Sequence, residues 1–297
     1  MESYPLPARL LVEQMAAAAT AEPARAIAFQ GAPGANSHTA ALGYRADCLP
    51  LPCFSFEDAL DAVRDGRADR AIIPIENSLH GRVADMHFLL PESGLSIVDE
   101  HFLPIHHYLM ATDDSPIREA ISHVQALGQC RHHLRAQGIR PVAYADTAGA
   151  AALVAENRET GVAAIAPALA AELYELTIIG GNISDSEDNM TRFVVLAREA
   201  EVPAEDGPVM TSFLFEVKNI PAALYKVLGG FATNGVNMTK LESYQRGTSF
   251  SATEFYADIE GMPDDPAVDR ALEELAFHTK WMRLLGSYRQ ARPRTTG

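Results

Sequence analysis

The chain is poor in the residues that cross-link proteins and hold metals. It has three cysteines, Cys48, Cys53 and Cys130, in 297 residues, and no two of them stand in a C-x-x-C spacing. That excludes a disulfide framework and a cysteine-based zinc site, and it fits a reducing compartment. Positive charge is also scarce, with 24 Lys and Arg against 39 Asp and Glu and a formal net charge of −15. A polyanion has no general attraction to nucleic acid, so no nucleic-acid partner is expected. No stretch approaches the roughly 18 consecutive apolar residues of a membrane span. No membrane partner is expected either, and the expected location is cytoplasmic. The alanine-rich stretch from Met15 to Thr20 follows Glu2, Glu13 and Gln14, which break any signal-peptide core, so residues 1–24 read as a tail or short helix. Ten histidines are present, grouped partly as His101, His106, His107 and as His132, His133. None forms an i, i+4 pair backed by a carboxylate, and no metal is expected.

What is present is a hydrophobic fraction of 47% in a chain long enough for two or three domains. Over residues 25–198, short aliphatic or β-branched runs alternate with alanine-rich helical stretches, the pattern of an α/β domain with mainly parallel strands. The runs 26–30, 70–75, 108–111, 142–145, 162–165 and 192–196 read as strands, and 55–64, 125–137, 147–157 and 167–174 as helices. Residues 199–209 are rich in Glu, Pro, Ala and Gly without periodicity and read as a linker. Beyond them, strand 211–217, helix 222–234, strands 237–244 and 251–259, helix 266–278 and a strand near 281–288 spell βαββαβ, the ferredoxin-like order. This second domain spans 210–288, and 289–297 reads as a tail.

Strands that run into small polar loops recur. Gly31-Ala32-Pro33-Gly34 leads to Ser37-His38, Glu76-Asn77-Ser78 follows the second strand, and Asp146-Thr147 follows a later one. Ser37, Asn77 or Ser78, and Thr147 are residue types that cap helix N-termini. In open α/β sheets such turns gather at the carboxyl ends of the strands, where helix dipoles and free N–H groups favour an anion such as a dicarboxylate. For any one of these turns helix stability alone is the stronger explanation, since Ser, Asn and Thr cap most helices. The glycine loop lacks both the Lys-Ser/Thr of a P-loop and the G-x-G-x-x-G spacing, so neither ATP nor NAD is expected.

Four segments, in order, carry a resemblance. They are the loop 31–38; Pro74-Ile75-Glu76-Asn77-Ser78 with Gly81; Ser122-His123-Val124-Gln125 with Gln129-Cys130; and Asn189-Met190-Thr191-Arg192-Phe193. Together the chain resembles the prephenate dehydratases. The resemblance implies two α/β lobes like a periplasmic binding protein, with the site in the cleft and the chain crossing between lobes near 99–107 and 183–191. It implies a cofactor-free reaction on prephenate, in which the ring hydroxyl and ring carboxylate depart and the ring becomes aromatic. Thr191 corresponds to the family's catalytic threonine and would hydrogen-bond the leaving hydroxyl. Asn77, Ser122 and Gln129 match site positions whose neutral donors can hold carboxylates or the hydroxyl without adding charge. Glu76 either orients a donor or shuttles a proton, or is a cap or ion pair. Ser37, Ser78, Thr147, Arg192 and Phe193 complete a substrate-binding set, with Arg192 either meeting a carboxylate bidentately or forming a structural salt bridge. Ala35-Asn36 and Val124 depart from the family pattern, which has Thr-Phe and Pro there.

The C-terminal segment resembles an ACT domain, with Asn219-Ile220-Pro221-Ala222-Ala223-Leu224 where the family has Pro-Gly-Ala-Leu and Glu242-Ser243-Tyr244-Gln245 where it has Glu-Ser-Arg-Pro. The resemblance implies L-phenylalanine as an allosteric effector held by Asn219, Ala223, Leu224, Asn237, Glu242 and Ser243, and a homodimer or homotetramer. Ala222 adds a methyl where a glycine would let ligand approach, and Tyr244-Gln245 removes an arginine. Two rival readings stand beside this one: an arogenate dehydratase, and a non-catalytic amino-acid-sensing binding protein.

Overall fold

The computed structural model describes residues 4–83, 86–203, 207–245 and 252–294. Of the readings above, residues 1–3, 204–206, 251 and 295–297 lie outside the described residues. The chain divides into two compact units, Met1–Val83 with His101–Phe193, and Ala84–Glu100 with Val194–Gly297. No helix among the described residues is long and apolar enough to cross a membrane.

The chain opens on helix α1 (Leu6–Ala21), then β1 (Ala26–Gln30), α2 (Asn36–Tyr44), β2 (Leu49–Cys53), α3 (Phe56–Arg64), β3 (Arg70–Asn77) and the short β4 (Gly81–Arg82). After α4 (Met86–Ser93) and β5 (Ser96–Pro104), a second lobe is built from β6 (Tyr108–Ala111), β7 (Glu119–Ser122), α5 (Val124–Gln129), α6 (Arg131–Gln137), β8 (Arg140–Ala143), α7 (Thr147–Asn157), β9 (Val162–Ala166), α8 (Ala168–Leu173) and β10 (Thr177–Asn182). The chain then returns to the first sheet as β11 (Met190–Ala197). The strand orders are β2-β1-β3-β11-β5, with β4 on β3, and β10-β6-β9-β7-β8. Residues 105–107 and 183–189 are therefore the two crossings between lobes.

The expectation of mainly parallel strands needs correction in the second lobe, because β6 runs antiparallel to both β9 and β10. Parallel neighbours require a crossover connection. The chain instead enters β6 straight from β5 and leaves β10 straight toward β11. The N-terminal segment read as a tail or short helix is a 16-residue helix. Its Ala8, Val12 and Ala19 are buried, and it packs on both β2 and α7. The helix read at 125–137 breaks at Cys130 into α5 and α6.

In the second unit, β12 (Val209–Val217), α9 (Ala223–Thr233), β13 (Met238–Gln245), β14 (Ala252–Glu260), α10 (Pro266–His278) and β15 (Thr279–Arg289) form the βαββαβ order, with an antiparallel sheet β13-β14-β12-β15. Strand alternation explains its two faces. Phe213, Phe215, Phe255 and Ile259 join Val227, Phe231 and Leu275 of the helices in one core. Ser212, Tyr256, Asp258 and Tyr288 form a buried polar cluster, in which Ser212 Oγ donates to Asp258 Oδ1 at 2.5 Å and lies 3.0 and 2.6 Å from the hydroxyls of Tyr256 and Tyr288. Residues 84–100, expected with the N-terminal domain, belong to this unit. Arg283 donates to the carbonyl of Pro91, the Ala291 amide to Glu100 Oε1 at 3.1 Å, and Arg294 to Glu100 Oε2 at 2.5 Å. A methyl on Gly286 would fall on the backbone of Ile97.

Candidate active site

The motif residues around β3 and β11 converge on one carboxamide. Asn77 Nδ2 lies 2.8 Å from Asn189 Oδ1, 3.0 Å from Thr191 Oγ1 and 3.2 Å from the carbonyl of Met190. Its Oδ1 accepts from the amides of Leu79 and His80, each at 3.0 Å. Asn77 thus caps a turn between β3 and β4 and not a helix, which corrects the N-cap reading of this junction. Ser78 is committed to backbone: its hydroxyl donates to the Asp188 carbonyl at 3.0 Å and accepts from the Met190 amide at 2.9 Å. The consequence is that Ser78 clamps the returning chain to the β3 turn and has little left for a substrate. Asn189 is 1% exposed, and its Nδ2 has no partner.

A cavity of about 470 Å³ lies beside this turn, lined by Leu79 and His80 from the first lobe, by Val124, Gln125, Gly128, Gln129, Arg131 and His132 from α5 and α6, and by Asp185. Gln129 ends α5, and its Oε1 stands 2.5 Å from His107 Nε2. Asp185 caps α6 by accepting from the His132 amide at 3.1 Å, an arrangement suited to the helix dipole. Ser122 is fully buried and donates to the Ile165 carbonyl at 2.6 Å, tying β7 to β9. It is a sheet residue and does not reach the cavity. His123, read as a loop residue, is the N-cap of α5.

Other sequence-predicted residues fall elsewhere. Ser37 is the second residue of α2, capped by Ala35 without a side-chain bond, and is 7% exposed. Thr147 opens α7, but Asp146 is its cap, with Oδ1 accepting from the Gly149 amide at 2.6 Å. Burial raises the Asp146 carboxyl. The loop 31–34 is a packing seam between lobes: Tyr174 donates to the Pro33 carbonyl at 2.7 Å, and a methyl on Gly34 would sit 2.9 Å from Ala170 Cα. His38 closes it, accepting from the Gly34 amide at 3.0 Å and stacking on Phe29. Burial lowers its imidazole to about 4, so it stays neutral. Phe193 is 1% exposed core, not a substrate contact. Arg192 is buried on the strand face opposite Thr191, so the two do not share one face. Glu76 pairs across the β3–β4 hairpin with Arg82.

Among the effector residues, Asn219, Asn237 and Ser243 are exposed, Ala223 is in the core and Leu224 packs against it. Glu242 is held from two sides, by Lys240 Nζ at 3.1 Å and by the Tyr244 hydroxyl at 3.1 Å. Lys240 was missed by sequence reasoning, although its i−2 spacing from Glu242 on one strand face signals the pair. Ala222 adopts φ +65°, a left-handed conformation that glycine fits better. The sequence alone assigns no role to His107 or Asn189, and only their burial beside Gln129 and Asn77 marks them.

Comparison with known proteins agrees with the motif geometry. Residues 27–201 match the family Prephenate dehydratase. A bifunctional N-acyl-homoserine lactone acylase/prephenate dehydratase of Komagataeibacter europaeus is 47% identical over 89% of this chain and 95% of its own length. Arogenate dehydratase/prephenate dehydratase 6 of Arabidopsis thaliana is 40% identical over 88% of this chain and 68% of its own. The solved structure of prephenate dehydratase from Arthrobacter aurescens in complex with L-Phe superposes with a TM-score of 0.81 at 30% identity, covering 90% of both chains. With the match spanning both lobes, from β1 through the returning strand β11, the chain belongs to the prephenate dehydratase family of carbon–oxygen lyases.

Proposed function

We propose that the chain converts prephenate to phenylpyruvate in L-phenylalanine biosynthesis, with Thr191 at the leaving hydroxyl. The single observation that carries this reading is the contact of Asn77 Nδ2 with Thr191 Oγ1 at 3.0 Å. An amide N–H occupies one lone pair of the threonine oxygen, so the Thr191 proton is directed away from Asn77, toward a substrate acceptor. That donor polarises the departing C–O bond; the hydroxyl takes up one proton and leaves as water, while the ring carboxylate leaves as carbon dioxide and its bonding pair completes the aromatic ring. Gln129 and Arg131 line the adjoining cavity and supply neutral and cationic donors for carboxylates. No cofactor enters the scheme, since aromatisation drives the reaction.

The test is Thr191→Ala, for which kcat and kcat/KM on prephenate should fall together by about 100-fold or more, the signature of an interaction made in the transition state, while Thr191→Ser keeps measurable turnover. Wild-type kcat in the alanine variant removes Thr191 from the mechanism. Running prephenate and arogenate side by side decides between phenylpyruvate and phenylalanine as product, and turnover of neither supports a binding protein. The C-terminal βαββαβ segment is proposed as an ACT domain that binds L-phenylalanine in a homodimer or homotetramer, and the L-Phe complex of the Arthrobacter relative supports it.

A second activity, hydrolysis of N-acyl-homoserine lactones, is favoured by the 47% identity along nearly the whole of a bifunctional relative. Burial pushes the Cys48 thiol up to about 11 and those of Cys53 and Cys130 to about 12, so none of them is a ready nucleophile. Release of homoserine lactone from an acylated substrate, followed in the same protein, tests it.

A further inference from the structure

We propose that His107 is a positioning residue, whose neutral imidazole holds the Gln129 carboxamide so that its NH₂ group faces the cavity. This rests on the reading that places Gln129 in the active site. His107 is 2% exposed and sits at the crossing between lobes, and its Nε2 is 2.5 Å from Gln129 Oε1. Both residues are fastened to the same returning segment. The His107 amide donates to Asn182 Oδ1 at 3.1 Å and Ser184 Oγ at 3.2 Å, its carbonyl accepts from the Ile183 amide at 2.9 Å, and the Gln129 carbonyl accepts from the Asp185 amide at 2.6 Å. The imidazole and the carboxamide therefore meet within a fixed backbone frame.

The proton arrangement follows from what is unpaired. His107 Nδ1 is buried with no partner. If the carboxamide pointed its NH₂ at Nε2, the ring proton would move to Nδ1 and become a buried donor without an acceptor, a rare and costly situation. With Nε2–H donating to Oε1, only a lone pair is orphaned. Burial also lowers the His107 pKa, in keeping with a neutral ring. The Gln129 NH₂ group is then the end left to face the cavity that Gln129 lines. That donor fits a substrate carboxylate or the leaving hydroxyl.

Two measurements on the full-length protein test this. In kinetics on prephenate, His107→Phe keeps the ring volume but removes the donor, and kcat/KM should fall about 10- to 100-fold. His107→Gln, which can still donate, should retain more. Gln129→Ala should fall similarly, and the double variant His107→Phe/Gln129→Ala should fall no further than Gln129→Ala, because the histidine acts through the glutamine. Independently, nitrogen-15 NMR of histidine-labelled protein should show His107 as the neutral Nε2–H tautomer. Wild-type kinetics in His107→Phe, additive losses in the double variant, or a proton on Nδ1 would each overturn the proposal. Full activity in Gln129→Ala would overturn the site assignment of Gln129 and the role of His107 together, whereas the tautomer would still report whether the bond forms.

Discussion

At the scale of single residues, the site depends on which atoms are donors. Asn77 Nδ2 has two protons for the two nearest acceptors, Asn189 Oδ1 and Thr191 Oγ1, while the Met190 carbonyl beside them is already paired with the Ser78 amide at 2.8 Å. Asn77→Asp keeps the shape and reverses the chemistry. Its carboxylate would repel the two carbonyl-type oxygens and draw the Thr191 proton to itself, away from the substrate. Turnover should drop about 100-fold, and unfolding free energy by about 1–3 kcal/mol from the buried Asn189 Oδ1 left unpaired. Denaturant unfolding and initial rates on the same preparation check both, and an unchanged rate would dissociate Asn77 from Thr191. Sequence reasoning singles out Asn77, Thr191 and Gln129 through their motifs. It could not tell that Ser122 and Phe193 in the same motifs are internal, because motif membership does not encode which way a strand residue points.

At the scale of elements, β1, β6, α7 and α10 were legible because apolar runs or helical composition mark them directly. The edge strand β2 was not, since its sequence Leu-Pro-Leu-Pro-Cys reads as a breaker. Proline lacks a ladder donor and is tolerated at a sheet edge, which is where β2 lies. Helix α2 was legible only at its start, where Ser37 reads as a cap; its extent was not, because its first turn is polar and Ala40, Ala41 and Gly43 leave no apolar stripe. Helix α1 lies outside the family match at 27–201, yet it spans β2 in one lobe and α7 in the other. Deleting residues 1–21 would expose the surface that covers Ala8, Val12 and Ala19. We expect the melting temperature of the shortened protein to fall by about 5 °C or more, from several kcal/mol of lost burial. A melting curve superimposable on the parent's would make α1 an appendage.

At the scale of the whole molecule, the proposed phenylalanine regulation is a coupling free energy between two sites. Phenylalanine should raise the apparent KM for prephenate to a plateau about 5- to 150-fold above its starting value, whereas a competitor in the cavity would raise it without limit. Initial rates over a wide phenylalanine range distinguish the two, and an unlimited rise would place the effector in the cavity. Removing 211–297 is a poor alternative test, because β15 and the residues after it pack on 84–100, inside the family match. The contact of Gly286 with Ile97 carries this further, into genetics. Nothing larger than hydrogen fits at that α-carbon, and the obstacle is main chain, which cannot swing aside as a side chain can. In a growth screen on medium without phenylalanine, position 286 should therefore look as intolerant as position 191 while touching no substrate. The two kinds of intolerance would part on cooling: Gly286→Ala should behave as a temperature-sensitive allele, and Thr191→Ala should fail at every temperature.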